Sequence, residues 1–338
     1  MESVDIYGWT MSTHFVMSGG KNMFLDFLWL VVGLVLLVKG ADFFVKGSSN
    51  IARFLKIPSL IIGLTLVSFG TSAPEASVSI NAAINNFNDI SLGNVVGSNI
   101  FNTLFIIGIS ALFGPLVFSK DIKKYDILIM AGIYLVLILF SFIITPYVLD
   151  LFESLTMLLL FVLYLVHLFI RSKNGTADIS EEEQEVITKK KLIINVFLAA
   201  IGLASIIIGG DLVVTSASNI SIEIGMSESL VGLTIVAVGT SLPELVTSVV
   251  ATVKKENDIA IGNVIGSNIF NVIFILALSS SISNINVQII ALFDILVMLL
   301  SAIIIILIAK LSNNVKKWHG ILLILIYVAY LTYIVIRN

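Results

Sequence analysis

The chain has 338 residues, of which 58% are hydrophobic and only 12% are charged, and its formal net charge is −3. Soluble domains carry about 25% charged residues, so this composition excludes an ordinary soluble protein and predicts an integral membrane protein. The sequence contains no cysteine, which excludes disulfides, thiolate metal sites and thiol nucleophiles.

Residues 1–22 are polar and lack the apolar core of a signal peptide, and we expect them to form a disordered tail. Ten apolar segments follow, each able to supply the roughly 20 helical residues that cross a bilayer. Helices are expected because lipid offers backbone groups no hydrogen-bond partner. The segments are residues 24–45, 58–83, 91–115, 124–146, 151–171, 191–217, 227–252, 260–281, 287–311 and 318–336.

A shift of 169 positions aligns the chain with itself. GLTLVSFGTSAPE (63–75) aligns with GLTIVAVGTSLPE (232–244). NDISLGNVVGSNIFN (88–102) aligns with NDIAIGNVIGSNIFN (257–271), and 12 of 15 positions are identical. One gapless shift joins these blocks, which predicts that the chain is a duplicated unit of five helices.

The odd number of helices in the unit predicts that the second copy crosses the membrane in the opposite direction. Repeat 1 would cover residues 23–171 and repeat 2 residues 191–338. Sixteen Lys and Arg residues fall in loops on one side of the membrane, whereas only Lys21 and Arg337 fall on the other. The positive-inside rule then places both termini outside and the 172–190 linker in the cytoplasm.

The predicted fold class is therefore an all-α integral membrane protein with ten transmembrane helices, arranged as two inverted five-helix repeats with interrupted core helices. Inverted repeats are typical of secondary transporters, which bind their substrate near the bilayer midplane. The charged linker has two interpretations: a solvated connection, or a regulatory cation site on Glu181, Glu182, Glu183 and Glu185.

Two glutamates lie at matching places in the copies. A carboxylate at membrane depth costs a few kcal/mol unless it faces protein, water or an ion. If the copies are inverted, Glu75 and Glu244 can approach each other, and their mutual repulsion would be relieved by cations or protons. One divalent or two monovalent cations would balance the pair.

A proline precedes each glutamate. Pro74 lacks an N–H, so it leaves a carbonyl near Gly70 or Thr71 without its helical partner, and Pro243 does the same in the second copy. One such proline would indicate only a kink. The twinned Gly-Thr-Ser-x-Pro-Glu pattern predicts carbonyls that coordinate a cation.

The side chains around the glutamates offer oxygen atoms, which favour Ca²⁺, Mg²⁺ or Na⁺ over zinc or copper. The hydroxyl groups belong to Thr71, Ser72, Ser79, Thr240, Ser241 and Ser248. On the following helices, polar residues share one face at a spacing of four. These are Asn94, Ser98 and Asn102 in one copy and Asn263, Ser267 and Asn271 in the other. The adjacent Gly93, Gly97, Gly262 and Gly266 predict close helix packing.

With GTSAPE and GNVVGSNIFN in one half and GTSLPE and GNVIGSNIFN in the other, the sequence resembles the sodium/calcium exchangers of the cation/calcium antiporter superfamily, particularly their compact prokaryotic members. The resemblance implies Na⁺/Ca²⁺ antiport, in which both ions compete for four midplane sites. It also implies that the first and sixth helices slide over the core.

The resemblance further implies the ligands. Glu75 and Glu244 would be the shared carboxylates. The other groups would be the carbonyls of Thr71, Thr240, Ser68 and Ala237, the hydroxyls of Ser72, Ser241, Ser98 and Ser267, and the amides of Asn102 and Asn271. Some family members have Asp at the position of Asn271, so we expect this chain to differ in a proton- or sodium-binding step.

Na⁺-driven Ca²⁺ antiport in a cytoplasmic membrane is the leading interpretation. H⁺/Ca²⁺ antiport and K⁺-dependent Na⁺/Ca²⁺ antiport are the closest alternatives, although proton-coupled relatives carry an extra Glu where this chain has Gly97 and Gly266. A cation channel or an intramembrane hydrolase is a remote alternative. We expect no enzymatic activity, no cofactor, no nucleic acid and no obligatory protein partner. The expected partners are Ca²⁺, Na⁺ and the lipid bilayer.

Overall fold

The computed structural model describes residues 23–174, 189–225 and 237–337, so the predicted N-terminal tail and most of the predicted linker lie outside the described residues. Within them the chain is almost wholly helical. The helices are α1 (Met23–Leu55), α2 (Ser59–Thr71), α3 (Ala73–Ile84), α4 (Asn88–Phe113), α5 (Ile122–Ile144), α6 (Leu151–Asn174), α7 (Lys189–Glu223), α8 (Leu242–Val253), α9 (Asn257–Ile282), α10 (Ile289–Ser312) and α11 (Lys317–Arg337).

Eight of these helices are long and apolar enough to cross a membrane, and the bent pair α2 and α3 makes a possible ninth span among the described residues. Their order and positions follow the predicted segments. The seventh predicted segment, 227–252, is described only from Ala237, as the single turn Ala237–Gly239 followed by α8. The prediction of ten spanning helices therefore stays a prediction.

Helices α1 and α7 are longer than predicted, at 33 and 35 residues. Both would measure about 50 Å, well beyond the roughly 30 Å of a bilayer core, which requires tilt or projection into solvent. The hydropathy of the sequence marked only their apolar parts. The helices end at backbone breaks, because Lys56 and Gly225 take positive φ values of 55° and 98°.

These two long helices pack against each other in antiparallel directions along a line of glycines. A Cβ atom on Gly33 would lie 2.9 Å from the carbonyl oxygen of Gly209, and one on Gly40 would lie 2.8 Å from that of Gly202. The contact moves seven residues forward along α1 and seven residues backward along α7. The two antiparallel backbones therefore touch directly over about two helical turns. Glycine is required for this approach.

The central helix is α9, in which every residue from Ile259 to Phe270 is buried. Its glycines form the predicted close contact with α2: a Cβ on Gly262 would lie 3.0 Å from the Cα of Gly63, and one on Gly266 would lie 2.8 Å from the Cα of Leu64. The equivalent Gly93 and Gly97 have no described atom within 4 Å of such a Cβ. The close-packing prediction therefore holds for one copy in the described part of the chain.

Four two-residue strands, which the sequence did not indicate, join the loops of the two halves in the described part of the chain. Strand β1 (Leu116–Val117) pairs antiparallel with β4 (Asn314–Val315), and β2 (Val148–Leu149) pairs antiparallel with β3 (Ile285–Asn286). These segments connect helices, where the backbone lacks helical partners and bonds to a neighbouring loop instead. The sequence of such short loops carries no alternation that would predict them.

Ion pairs connect neighbouring helices near their ends in both halves. Nη1 of Arg171 on α6 lies 2.6 Å from Oδ1 of Asp126 on α5, whose side chain is fully buried. Nη2 of Arg337 on α11 lies 3.0 Å from Oδ2 of Asp294 on α10. Each arginine donates to both carboxylate oxygens, which is the strong bidentate geometry.

We expect Arg171→Met to destabilise the protein by about 3–5 kcal/mol, because it leaves Asp126 as a buried carboxylate without its partner. The matched control is Arg53→Met, since Arg53 is 42% exposed and lies 3.2 Å from Glu256. That pair should contribute less than about 1 kcal/mol. Thermal unfolding of both purified variants in detergent measures the difference, and equal losses would contradict the assignment.

Candidate cation-binding site

Both Gly-Thr-Ser-x-Pro-Glu segments interrupt a helix at the serine. Helix α2 ends at Thr71 and α3 begins at Ala73, with a bend of 50° between them, and Ser72 has φ −81° and ψ 9°. Ser241 has φ −92° and ψ 8° and precedes α8 in the same way. The prolines fall in the first turn of α3 and α8, where the missing N–H is not needed.

This geometry places each glutamate in the first turn of a helix. The N-terminus of a helix has a partial positive charge and stabilises a carboxylate nearby. Glu75 and Glu244 are both fully buried. Asn94 on α4 donates to the backbone carbonyl of Glu75 at 3.2 Å, and Asn263 on α9 donates to that of Glu244 at 3.3 Å. The two halves thus hold their glutamates by the same contacts.

Serines cross between the copies to reach the glutamates. The hydroxyl of Ser72 donates to Oε1 of Glu244 at 2.8 Å, and the hydroxyl of Ser241 donates to Oε1 of Glu75 at 2.8 Å. Each serine therefore bonds to the glutamate of the other copy. This crossed pair of hydrogen bonds brings both carboxylates into one buried cluster.

The other predicted serines and threonines lie around this cluster. Ser98 contacts the hydroxyl of Ser241 at 3.2 Å, and Ser267 lies 3.4 Å from both Oε1 of Glu244 and the carbonyl of Ser68. The hydroxyl of Thr71 donates to Oδ1 of Asn263 at 2.9 Å.

Two predicted ligand residues of the second copy, Thr240 and Ala237, have no described side-chain hydrogen bond to the cluster. The buried hydroxyl of Thr240 has no hydrogen-bond partner in the described part of the chain. Ala237 begins the short turn before α8, and its side chain lies outside the described part.

Asn102 and Asn271 belong to an amide network with two residues that the sequence did not single out. Nδ2 of Asn102 donates to Oδ1 of Asn268 at 3.2 Å, and Nδ2 of Asn271 donates to Oδ1 of Asn99 at 3.0 Å. All four side chains are fully buried. The signal for Asn99 and Asn268 was present in the repeated GSNIFN motif, but the i, i+4 spacing selected only one helix face.

Four acceptor oxygens in this region have no donor among the described residues. They are Oε2 of Glu75, Oε2 of Glu244, Oδ1 of Asn102 and Oδ1 of Asn271. Buried polar atoms are nearly always satisfied, so this matched set of acceptors needs either a hydrogen-bond donor or a positively charged ligand. The described residues contain no group of three or more His, Cys, Asp or Glu residues that could hold a metal ion. The carboxylates that the crossed serine bonds join are those of Glu75 and Glu244.

An all-helical membrane protein whose broken helices gather two buried carboxylates and a shell of hydroxyl and amide oxygens has the architecture of a cation transporter. The chain belongs to the sodium/calcium exchanger family, because the family profile described as sodium/calcium exchanger protein matches residues 25–170 and 194–336. It is thus a membrane antiporter of a cation/Ca²⁺ exchanger family, a family of transporters and not of enzymes.

Individual relatives agree with this membership. The sodium/calcium exchanger MaX1 of Methanosarcina acetivorans is 34% identical over 346 residues, covering 91% of this chain and 97% of the relative. The putative antiporter CaxA of Alkalimonas amylolytica is 40% identical over 266 residues, covering 77% and 82%. A solved structure of the sodium-calcium exchanger NCX_Mj, soaked with Na⁺ and without Ca²⁺, superposes with a TM-score of 0.80 at 30% identity and covers 92% of this chain and 99% of its own.

Proposed function

We propose that the protein exchanges Na⁺ for Ca²⁺ across a cytoplasmic membrane by alternating access to the buried cluster. The observation that carries the proposal is the crossed pair of serine bonds that brings Glu75 and Glu244 together, while one oxygen of each carboxylate and the amide oxygens of Asn102 and Asn271 have no donor among the described residues. Oxygen-only sites favour Ca²⁺ and Na⁺. The sodium/calcium exchangers MaX1 and NCX_Mj support the choice of these two ions as the transported substrates.

The charge of the cluster explains why transport would be an exchange. Two ionised carboxylates are balanced by one Ca²⁺ or by two Na⁺, whereas an unbalanced pair would hold net charge in a low-dielectric interior at a cost of several kcal/mol. A conformational change that encloses the cluster is therefore favourable only when cations are bound. The protein would return after releasing Ca²⁺ only by taking up Na⁺, which couples the two gradients.

The proposed ligands are the residues that the sequence indicated, with the carbonyl groups taken from the helix ends. Ser68 fits a carbonyl role because its hydroxyl turns back to Leu64 of its own helix at 2.9 Å. The full set is Glu75, Glu244, Ser68, Thr71, Ser72, Ser98, Asn102, Ala237, Thr240, Ser241, Ser267 and Asn271.

We also propose that ten helices form two inverted repeats, residues 23–171 and 191–338, with both termini outside. The antiparallel packing of α1 against α7 supports this arrangement, because the two helices occupy equivalent places in the copies. Access to the cluster would alternate when α1 and α7 slide together over the remaining helices. Their glycine contact gives a continuous interface that can move as one body.

Reconstituted vesicles test the exchange directly. Vesicles loaded with Na⁺ should accumulate external Ca²⁺ while the outward Na⁺ gradient lasts, and uptake should stop when the gradient is collapsed. Replacing the internal Na⁺ with K⁺ or with a proton gradient should not support uptake. Uptake that ignores the Na⁺ gradient would overturn the proposal, and uptake driven by H⁺ or requiring K⁺ would assign one of the alternative antiport reactions.

We expect Asn271→Asp to change the reversal potential of exchange or its pH dependence, because it adds a third acidic group to the cluster. The reversal potential reports the ratio of Na⁺ to Ca²⁺ and is measured in the same vesicles. Asn195→Asp is the control, since Asn195 lies on α7 and bonds to Asn50 away from the cluster. An Asn271→Asp variant that matches the wild type in both properties would refute the expectation.

A further inference from the structure

The orientation of the Asn271 amide is fixed by a short chain of hydrogen bonds. Nδ2 of Asn99 donates to the backbone carbonyl of Asn268 at 3.1 Å. A backbone carbonyl can only accept a hydrogen bond, so the Asn99 side-chain atom that faces it is the amide nitrogen, and the amide oxygen of Asn99 faces the opposite way. That oxygen accepts from Nδ2 of Asn271 at 3.0 Å. Oδ1 of Asn271 therefore points away from Asn99 and is one of the four acceptors without a donor.

The amide of Asn102 is oriented by a second chain of hydrogen bonds that has different anchoring groups. Nδ2 of Asn268 lies 2.8 Å from Oγ1 of Thr103 and 3.5 Å from Sδ of Met130, which can only accept. Oδ1 of Asn268 is therefore free to accept from Nδ2 of Asn102 at 3.2 Å. Oδ1 of Asn102 is left without a donor, as in the first chain of bonds.

We propose that Asn99 and Asn268 are positioning residues that hold the amide oxygens of Asn271 and Asn102 toward the transported cation. The inference rests on the proposed cation site and extends it to two residues that would not touch the ion. An unrestrained asparagine can rotate its amide and present its N–H₂ group, which repels a cation. Holding the oxygen in place before the ion arrives removes that ordering cost from binding.

A double-mutant cycle on Ca²⁺ binding separates positioning from packing. The dissociation constant for ⁴⁵Ca²⁺ is measured on the purified protein in Na⁺-free buffer. Asn271→Ala should weaken binding by about tenfold, and Asn99→Leu by roughly fivefold, which is the size of effect expected for loss of one hydrogen bond. The double variant should bind no more weakly than Asn271→Ala alone, because Asn99 acts only through the amide that is already absent.

The cross-combination is the matched control. Asn99→Leu combined with Asn102→Ala should weaken binding by the product of the single effects, since Asn102 is held by Asn268. Asn268→Leu should give the opposite result. Its effect on the Ca²⁺ dissociation constant should be absent in the Asn102→Ala background and unchanged in the Asn271→Ala background. Asn99→Ala replaces Asn99→Leu if the larger side chain prevents folding, which thermal unfolding of each variant reports.

Two results would overturn the positioning role. One is an unchanged dissociation constant in Asn99→Leu, and the other is an equal effect of Asn99→Leu in the wild-type and Asn271→Ala backgrounds. Because binding is measured without a gradient, the outcome is separate from the vesicle test. If the effects of Asn99→Leu and Asn271→Ala on Ca²⁺ binding are coupled but the vesicles show no Na⁺-driven uptake, only the proposed exchange is overturned. If uptake is driven by Na⁺ but the two effects are independent, only the positioning role is overturned.

Discussion

We expect Glu75→Gln and Glu244→Gln each to abolish Na⁺-driven Ca²⁺ uptake. Glutamine keeps an oxygen that can accept from the opposite serine, so the crossed contacts of Ser241 and Ser72 can persist. The variant loses one unit of negative charge, and Ca²⁺ would then leave a net positive charge in a buried cluster. Two unit charges about 4 Å apart interact by about 4 kcal/mol at an effective dielectric constant near 20. A loss of that size weakens binding by roughly a thousandfold.

Glu153→Gln is the matched control for this experiment. Glu153 is also a fully buried glutamate in a helix of the membrane domain. Its contacts are the hydroxyl of Thr145 at 2.5 Å and the backbone N–H of Asp150 at 3.1 Å, and both residues precede the first residue of α6. We expect uptake to persist in Glu153→Gln. Uptake that survives either cluster substitution would contradict a shared site.

The two cluster substitutions should also resemble each other. Each glutamate is bonded to a serine of the other copy and held by an asparagine on its carbonyl, so neither position is subsidiary. If one variant abolishes uptake and the other only slows it, Ca²⁺ is bound mainly by one half. Measuring ⁴⁵Ca²⁺ binding to both variants distinguishes loss of the ion site from loss of movement.

The internal repeat explains how much of the site could be predicted. Because GTSAPE and GTSLPE occur at one constant shift, the sequence indicated that Glu75 and Glu244 occupy equivalent places, and the structure joins them through Ser72 and Ser241. Helix breaks at the two serines followed from the prolines. The role of these groups as ion ligands stays a prediction.

Long-range interactions outside the equivalent positions of the repeat could not be predicted. The orientation of the Asn271 amide depends on Asn99, 172 positions away, and on a backbone carbonyl that hydropathy does not report. Arg171 looked like one of many basic residues in a cytoplasmic loop, whereas the structure pairs it with Asp126 inside the helix bundle. The extra length of α1 and α7 was missed because their ends are polar but remain helical.

The second large effect is expected at the contact between α1 and α7. A Cβ atom on Gly202 would lie 2.5 Å from the backbone nitrogen of Phe44 and 2.7 Å from the carbonyl oxygen of Gly40. Backbone atoms cannot move aside as a flexible side chain can, so Gly202→Ala must separate the two helices. We expect a loss of about 1–3 kcal/mol in stability, measured by thermal unfolding in detergent, and a large fall in the maximal rate of Ca²⁺ uptake.

Gly132→Ala on α5 is the matched control, because a Cβ there has no described atom within 4 Å. We expect this variant to unfold and transport like the wild type, and equal behaviour of the two alanine variants would contradict the direct backbone contact. Gly202 does not belong to the cation cluster, so the ⁴⁵Ca²⁺ dissociation constant of Gly202→Ala should be unchanged. Slower exchange with intact Ca²⁺ affinity is the result expected if α1 and α7 move together. Weakened affinity at an unchanged rate would instead tie Gly202 to the ion site.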